Sequence, residues 1–204
     1  MSEKSGAEFA GEYFGNKSGL TFVDIGANDG VTWSNSYFLE KNLGWNGFCI
    51  EPHPTMFKTL LQKRSCSCLN LAVSDKEGDL DFLSIEGSWE ANMLSGLIEN
   101  YDPRHRERIE SEYRRYGGVA SVVKVRTLPF SKIALDNNIT NIDYMSIDTE
   151  GSELNVLHSI DFSKSNVGLF SVEVNYELDP LKEFLEPYGY KYLTKIACDV
   201  FFGK

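Results

Sequence analysis

The stretch FVDIGANDG, residues 22–30, decides the fold of this chain. An apolar run with one aspartate, Asp24, leads into a turn that two glycines enclose, Gly26 and Gly30. A run without alternation of polar and apolar residues is expected of a strand that is covered on both faces. Glycine tolerates the backbone angles of a tight turn and lets backbone amides approach a ligand closely. The stretch therefore predicts a buried strand followed by a nucleotide-type loop, although it lacks the second glycine of the GxGxxG fingerprint.

Short apolar runs alternate with helical patterns along the rest of the chain. Strands are predicted over residues 20–25, 47–50, 67–73, 121–125, 144–147 and 167–174, with a short extra strand over 79–84. Helices are predicted over residues 34–43, 54–64, 131–137, 150–159 and 180–188. This rhythm is typical of βαβ units and predicts an α/β fold, with a mostly parallel sheet and helices on both faces. Residues 190–196 and 199–202 predict a closing antiparallel hairpin, which a nicotinamide-binding sheet does not normally have.

Length and composition limit the class of protein. The chain has 204 residues, of which 42% are hydrophobic, so we expect a single domain over residues 1–204. A net charge of -10 gives no basic footprint for nucleic acid or for an anionic membrane. The sequence shows neither a signal-peptide pattern nor an apolar run of membrane-spanning length, so we expect a cytoplasmic protein that binds no membrane. The cysteines form no CxxC pair and are interpreted as buried free thiols in a reducing compartment: Cys49, Cys66, Cys68 and Cys198.

The segment 84–118 interrupts the rhythm. It contains YDPRHRERIESEYRRYGG, in which a cap at Asp102 and a proline at 103 predict the start of a charged helix. We interpret the segment as an inserted helical lid or substrate segment, because insertions beside a ligand edge commonly become lids. The helix is expected to be solvated and laced with salt bridges, with His105 in solvent. Five arginines make it the basic zone of the chain, where an anionic substrate would be held: Arg104, Arg106, Arg108, Arg114 and Arg115.

Acidic residues near the glycine loop indicate which ligand it takes. Glu51 ends the second strand about 20 residues past the loop, where an acid can accept hydrogen bonds from both hydroxyls of a ribose. Asp24 and Asp29 would repel a pyrophosphate, whereas they suit a positively charged amino group. The ligand is therefore expected to be an adenosine that carries a cationic group. S-adenosylmethionine, with a sulfonium and an ammonium, fits that description.

Four motifs in this order, VDIGANDG, SNSYFLEKNLGWNGFCIEP, LAVSD and SIDTEGSE, resemble those of the FkbM-type S-adenosylmethionine-dependent methyltransferases. The resemblance covers about residues 21–202 and implies the seven-stranded sheet of class I methyltransferases, whose last two strands form the hairpin. It also implies methylation of hydroxyl groups, often on sugars or natural products. By motif position it places residues around three parts of the cofactor: Asp24, Gly26, Asn28 and Gly30 at the methionine part, Glu51 at the ribose, and Ser74 with Asp75 at the adenine edge.

Further acids follow two later strands and are the candidate catalytic residues. Asp148, Glu150 and Glu173 are expected to face the substrate that accepts the methyl group, with Asp148 as general base or hydroxyl acceptor. Glu153 is interpreted as compensation of a helix dipole. Asp148, Glu173 and Asn175 could instead hold Mg²⁺ or Ca²⁺, in an arrangement similar to the metal site of catechol-type O-methyltransferases. No histidine pair or cysteine cluster has the spacing of a zinc site.

The sequence thus predicts a methyltransferase that acts on a hydroxyl of a small molecule or glycan. Two alternatives stay open: a nicotinamide-dependent dehydrogenase, and a methyltransferase-like domain that binds the cofactor without transferring the methyl group. The acceptor, the methylated atom, the dependence on a metal and the pathway do not follow from the residues. An exposed apolar face on the segment 84–118 would indicate a homodimer or another protein partner.

Overall fold

The computed structural model describes residues 5–204, apart from the side chain of Trp89. The strands are β1 (Thr21–Ile25), β2 (Asn46–Ile50), β3 (Ser67–Leu69), β4 (Ala72–Val73), β5 (Gly78–Glu86), β6 (Gly96–Leu97), β7 (Val119–Leu128), β8 (Asn141–Ile147), β9 (Asn166–Glu173), β10 (Lys191–Ile196) and β11 (Asp199–Gly203). Seven of them form the main sheet in the order β10-β11-β9-β8-β1-β2-β3. Within residues 5–204, β11 runs opposite to the other six strands of this sheet, so the predicted mostly parallel sheet with a closing hairpin is confirmed.

Helices cover both faces of this sheet, as predicted. They are α1 (Gly6–Tyr13), α2 (Tyr37–Leu43), α3 (Pro54–Lys63), α4 (Trp89–Asn92), α5 (Pro103–Tyr116), α6 (Phe130–Asp136), α7 (Glu153–His158) and α8 (Asp179–Leu185), with 3-10 turns at Ile98–Asn100 and Glu186–Tyr188. Neighbouring residues of β1 divide between the faces, because successive strand residues point in opposite directions. Phe22 packs with α1, α2 and α3, whereas Val23 packs with α6, α7 and α8. None of the helices within residues 5–204 has the length and apolar character that a bilayer span requires.

The predicted strand over residues 67–73 is wrong as a single element. Its first part is β3, at the edge of the main sheet, and its last part is β4, in a separate four-stranded sheet of order β4-β7-β5-β6. The short extra strand is also longer than expected, because β5 pairs antiparallel with β7 from Gly78 to Glu86. The pairing of β5 with β7 joins residues far apart in sequence, so local periodicity could not reveal it.

Two helices begin later than predicted. The helix expected from residue 34 begins at Tyr37, because Ser34 and Ser36 use their side chains in the hydrogen-bond network of the first strand end. The helix expected from residue 150 begins at Glu153. Glu150 has a φ of +54°, in the left-handed region, which a continuing α-helix does not allow. Ser36 and Glu150, which come before the two helices, can therefore face the carboxyl end of the sheet.

Candidate functional site

A cavity of about 260 Å³ opens at the carboxyl ends of β1, β2 and β8, where the strand order reverses beside β1. Its wall includes residues 24–29, 50–53, 71–73 and 148–150, together with part of the inserted segment, residues 92–93 and 95–97. Six predicted site residues line it: Asp24, Gly26, Asn28, Glu51, Asp148 and Glu150. Four others do not: Gly30, Ser74, Asp75 and Glu173. The fold thus brings together the first strand loop, Glu51 and two of the three candidate catalytic acids.

The glycine loop, residues 26–30, is held in place by close packing of its two glycines against protein. Gly26 has φ +87°, and a Cβ built there would lie 1.6 Å from the backbone oxygen of Asp148. Gly30 has φ +79°, and a Cβ there would lie 2.5 Å from Cδ1 of Leu60 in α3. Only glycine allows both the positive φ and these approaches. The glycines therefore fix the loop between β8 and α3, and the loop still borders the cavity through residues 26–29.

Glu51 joins the two loops that border the cavity. Its Oε2 accepts a hydrogen bond from the N–H of Asn28 at 2.7 Å, and its Oε1 accepts one from the N–H of His53 at 2.7 Å. Burial raises the pKa of Glu51 to about 7, against the lowering effect of these two N–H donors, and the nearby Asp24 raises it further. A carboxylate oxygen can accept more than one hydrogen bond, so Glu51 can still receive hydroxyl donors from the cavity.

Asp24 is buried beneath the loop and is already engaged by protein groups. Its Oδ2 accepts hydrogen bonds from the hydroxyls of Ser36 at 2.5 Å and Ser34 at 3.4 Å. Burial raises the pKa of Asp24, and the positive charge of Arg64 opposes that shift. Asp24 therefore contributes less negative charge to the cavity than the sequence suggested.

Arg64 is a residue of this site that the sequence interpretation missed. Directly after α3, it donates from Nη1 to the backbone oxygen of Gly30 at 3.1 Å and from Nη2 to the hydroxyl of Ser36 at 2.9 Å. Its Nε pairs with Glu40 at 2.5 Å. Arg64 thus ties the glycine loop to α2 and α3. A single arginine at the end of a predicted helix gave no sign of these partners, which lie 24 or more positions away in sequence.

Asp29 stabilises the turn that follows the glycine loop. Its Oδ1 accepts hydrogen bonds from the N–H groups of Val31 at 2.9 Å and Thr32 at 2.8 Å. Burial would raise the pKa of Asp29, but these donors together with the Thr32 hydroxyl lower it. Asp29 therefore carries a negative charge at the wall of the cavity, which Asp24 also lines.

Part of the cavity wall is apolar. It is lined by Ile50, Leu71, Ala72, Val73, Phe82 and Leu97. Ser74 and Asp75 lie just beyond this lining. Ser74 is fully buried and donates its N–H to the oxygen of Leu128 at 3.2 Å, whereas Asp75 is exposed. β4 turns away from the main sheet here, which moves the predicted adenine-edge residues off the cavity wall.

Three carboxyl groups meet at the other end of the cavity, at the ends of β8 and β9. One carboxylate oxygen each of Asp148, Glu150 and Glu173 lies within 4.8 Å of the others. Burial raises the pKa values of Asp148 and Glu173 well above the usual range for carboxyl groups, and the neighbouring acids raise them further. Burial, followed by the charge of Asp148, raises the pKa of Glu150 to about 8. The three groups, named here the acid cluster, therefore share a smaller negative charge at neutral pH than three isolated carboxyls would carry.

Glu153 plays a separate, structural part beside the acid cluster. Its Oε1 accepts hydrogen bonds from the N–H groups of Thr149 and Gly151, both at 3.0 Å, and from the Thr149 hydroxyl at 3.0 Å. These contacts close the turn between β8 and α7. The predicted structural role of Glu153 therefore agrees with its contacts.

The charged helix α5 packs onto the acid cluster. Nη1 of Arg108 donates to Oε2 of Glu150 at 3.1 Å and to Oδ1 of Asn175 at 3.1 Å. The Asn175 amide in turn donates to Oε2 of Glu173 at 2.6 Å. The sequence placed this helix near the ligand edge, but only the fold shows which of its residues reaches the acids.

His105 is fully buried, so its predicted exposure to solvent is wrong. Its Nδ1 lies 3.8 Å from Oε2 of Glu150, too far for a hydrogen bond, and neither ring nitrogen has a hydrogen-bond partner within residues 5–204. The ring packs against Tyr101, with centroids 4.6 Å apart. Burial, and then the charge of Arg108, lowers the pKa of His105 to about 4. The histidine is therefore neutral at physiological pH and adds no charge to the acid cluster.

Comparison with solved structures agrees with this fold. The FkbM methyltransferase of Methylobacillus flagellatus KT is 14% identical, with a TM-score of 0.53, and the alignment covers 99% of this chain and 48% of that chain. The N-terminal domain of human METTL16 is 12% identical, with a TM-score of 0.50, and the alignment covers 97% of this chain and 65% of that chain. At such identities the likeness concerns the fold alone. The present chain spans about half the length of the Methylobacillus protein.

The sequence itself matches one family model. No curated protein matches this chain significantly. The family model described as "Methyltransferase FkbM domain" matches residues 24–192, which include the glycine loop, Glu51 and the acid cluster. Most of the chain is thus covered, and the strand order is that of the class I methyltransferase sheet that the motifs implied. This chain belongs to the FkbM family of S-adenosylmethionine-dependent methyltransferases.

Proposed function

We propose that this protein transfers the methyl group of S-adenosylmethionine to a hydroxyl group of a neutral small molecule or sugar. The observation that carries the proposal is the position of Asp148. Its N–H donates to the backbone oxygen of Ile25 at 3.0 Å, so the end of β8 lies directly beside the start of the glycine loop. A candidate base thereby borders the loop at which the family holds its cofactor.

The cavity fits S-adenosylmethionine by its chemistry. Glu51 offers carboxylate oxygens to ribose hydroxyls, and the apolar wall from Ile50 to Leu97 suits a flat adenine ring. Asp29, whose pKa is lowered, supplies negative charge for the ammonium group on the other side. The bound cofactor supplies an electrophilic methyl group. Ser74 and Asp75 are not needed for this fit, since they lie outside the lining.

The acid cluster can accept the proton that the attacking hydroxyl must lose. A general base works best when its pKa lies near the pH of the reaction. Burial and mutual repulsion raise the pKa of all three members, and a group near 8, such as Glu150, is partly ionised at neutral pH. We assign hydroxyl binding and proton removal to Asp148, which lines the cavity. Glu150 and Glu173 adjust its proton affinity.

The inserted segment 84–118 is proposed to cover the acceptor. Residues from Asn92 to Leu97 form part of the cavity wall, and α5 reaches the acid cluster through Arg108. A further contact joins the segment to the turn after β8, where the Asn100 amide donates to the hydroxyl of Ser152 at 2.9 Å. An acceptor that enters from this side has to displace at least one of these contacts. We therefore interpret the segment as a lid of one methyltransferase domain.

The contacts of the lid favour a neutral acceptor over an anionic one. The five arginines of the segment each have a partner. Arg104 pairs with Asp102 and Glu177, Arg106 donates to the oxygen of Ile98, Arg108 pairs with Glu112 and Glu150, Arg114 pairs with Glu110, and Arg115 lies over the ring of Tyr116. An anionic acceptor would also face the acid cluster. Three of the five guanidinium charges of the basic zone are thus paired with carboxylates: those of Arg104, Arg108 and Arg114.

A divalent cation is a second candidate occupant of the acid cluster. Three carboxylate oxygens within 4.8 Å of one another suit Mg²⁺ or Ca²⁺. Arg108 opposes this, because its guanidinium already binds Glu150 and the oxygen of Asn175, one of the ligands expected from sequence. Titration calorimetry with Mg²⁺, Mn²⁺ and Ca²⁺ separates the two cases. A heat of binding that is larger for Arg108→Gln than for the wild type favours the cation. An absence of heat with both proteins excludes a cation site.

Methyl transfer itself tests the proposal. The protein is incubated with S-adenosylmethionine labelled with tritium in the methyl group and with a panel of neutral sugars, polyols and phenols. We expect label in at least one hydroxyl compound, and a rate of labelling at least about 100-fold lower with Asp148→Asn. Transfer only to amines, thiols or carboxylates would overturn the hydroxyl assignment. Binding of the cofactor without any transfer would support the alternative of a non-catalytic binding domain.

A further inference from the structure

Three cysteines lie together at the β3 edge of the main sheet. Cys49 in β2 is fully buried and is paired in strand register with Cys68 of β3, the outermost strand on this side. Cys66 comes just before β3. Cys66 and Cys68 are half-buried, and Cys198 is exposed, so the prediction that the cysteines are buried holds only for Cys49. All four are free thiols, as expected from sequence.

The sulfur of Cys49 is in contact with that of Cys66. Their Sγ atoms are 3.5 Å apart, and the Cys66 thiol donates to Cys49. A disulfide joins its sulfurs at about 2.05 Å, so the two side chains would have to close the remaining gap by rotation. The Cys68 thiol lies close by and donates to the backbone oxygen of Cys66 at 3.5 Å. Cys49 therefore has two sulfur neighbours, one in contact and one beside it on the adjacent strand.

The surroundings favour the reactive form of one of these thiols. The hydrogen bond with Cys49 is the main cause that lowers the pKa of Cys68 to about 7. Burial opposes this shift, whereas the hydrogen bond with Cys66 and the charge of Arg64 lower the pKa further. A thiolate is the form that attacks oxidants. Since Cys68 is half-buried on an edge strand, a small oxidant can reach it from solvent.

We propose that Cys49, Cys66 and Cys68 form a redox modification site, in which a peroxide produces a disulfide between Cys49 and one of its two neighbours. The thiolate of Cys66 or Cys68 displaces hydroxide from the peroxide O–O bond and becomes a sulfenic acid. The sulfur of Cys49 then displaces water from that sulfenic acid, and the S–S bond forms. Two electrons pass from the sulfurs to hydrogen peroxide, which ends as two molecules of water.

The site is connected to the cofactor loop through Arg64. Arg64 stands two positions before Cys66 and binds Gly30 and Ser36. Ser36 in turn donates to Asp24. Closing a bond at Cys49 pulls on the segment that carries Arg64, so oxidation is expected to weaken cofactor binding. This second part rests on the proposed function, whereas formation of the disulfide does not.

Peptide mapping of the oxidised protein tests the site. The full chain is treated with a small excess of hydrogen peroxide, and free thiols are counted before and after addition of dithiothreitol. We expect the loss of two of the four thiols, full recovery on reduction, and a cross-linked peptide that contains Cys49. The matched control Cys198→Ser should show the same loss of two thiols. A cross-link through Cys198, or irreversible oxidation without any cross-link, would overturn the proposal.

Calorimetry then tests the connection to the loop. Reduced and oxidised wild-type protein are titrated with S-adenosylhomocysteine, and we expect affinity to fall at least threefold on oxidation and to return with dithiothreitol. Unchanged affinity in protein with a mapped disulfide overturns the connection through Arg64. Failure of the reduced protein to bind counts against the proposed function, and the mapping result stands by itself.

Discussion

The two ends of the cavity contain the same kind of side chain with different neighbours. At the glycine loop, the carboxylates of Glu51 and Asp29 accept hydrogen bonds from backbone N–H groups, and Asp24 accepts them from serine hydroxyls beside Arg64. At the ends of β8 and β9, the acid cluster groups face one another, with Arg108 as the cation that contacts them. The carboxylates at the glycine loop thus have hydrogen-bond donors for their charges, whereas the acid cluster has too few donors.

This difference indicates what each end can do. Carboxylates with fixed donors hold a defined geometry, which suits recognition of a cofactor. Carboxyls that repel one another in a buried place bind protons more tightly, which suits proton transfer near neutral pH. The following variants test this division, from the largest expected effect to the smallest.

Gly26→Ala tests how far the geometry of the glycine loop depends on its contact with Asp148, at the acid-cluster end of the cavity. A Cβ would lie 1.6 Å from the backbone oxygen of Asp148, so the loop or β8 has to move. We expect the free energy of unfolding to fall by about 4 kcal/mol or more, in the range of severe substitutions. Gly15→Ala is the matched control, because Gly15 has φ +69° with nothing within 4 Å of a built Cβ. Urea unfolding of both variants measures the difference, and equal losses would contradict the contact.

Asp148→Asn tests the proton-transfer role of the acid cluster. The amide keeps the shape of the side chain but cannot remove a proton, so we expect the methylation rate to fall by about 100-fold or more. Binding of S-adenosylhomocysteine should stay within about threefold of wild type. Asp136→Asn, an exposed acid on α6, is the control for general charge effects. A rate within tenfold of wild type would show that another group removes the proton.

Glu51→Gln tests the recognition role of the loop end. The variant replaces one carboxylate oxygen by a donor that faces an N–H group, so one of the two contacts at 2.7 Å is lost. We expect S-adenosylhomocysteine to bind about tenfold more weakly, or about 1.4 kcal/mol. Asp75→Asn should change affinity less than twofold, because Asp75 lies outside the cavity lining. Calorimetric titration compares the affinities of the two variants. A larger loss of affinity in Asp75→Asn than in Glu51→Gln would favour the position at the adenine that the motifs imply for Asp75 over its position outside the cavity lining.

Glu150→Gln tests the raised pKa through the pH dependence of stability. A carboxyl whose pKa is higher in the folded protein stabilises the fold when protonated. This contribution is fully present below the unfolded value of 4.5 and is lost as pH rises through about 8. The melting temperature of wild type should therefore fall between these pH values more steeply than that of Glu150→Gln. Glu110→Gln, an exposed acid of α5, should retain the wild-type slope. Identical slopes in all three proteins would contradict the buried proton.

The sequence was most informative where contacts are local. FVDIGANDG predicted β1 and its loop, the alternation of elements predicted the sheet, and the spacing to Glu51 predicted its place at the cavity. Each of these depends on residues close to one another in the chain or on a regular βαβ rhythm. The ends of strands β8 and β9 also follow from that rhythm, so the convergence of Asp148 and Glu173 could be predicted.

Long-range contacts account for what the sequence left out. Arg64 and Arg108 reach their partners across the fold, and His105 is buried by it, whereas no local pattern distinguishes the three from solvated residues. β4 pairs with β7 in the second sheet instead of joining the main sheet, and Ser74 and Asp75, which follow β4, do not line the cavity. Interactions of this kind depend on how elements pack, and periodicity in one segment carries no information about them.

Calorimetric titration of the wild-type protein with S-adenosylmethionine, S-adenosylhomocysteine and NADH tests the central claim most directly. We predict that both adenosyl compounds bind with one site per chain and that NADH does not compete. Because Glu51 and Asp29 recognise the ribose and the ammonium in this account, the affinity for adenosine alone should be much weaker. Binding of NADH in preference to the adenosyl compounds, or of none of the ligands, would contradict the account.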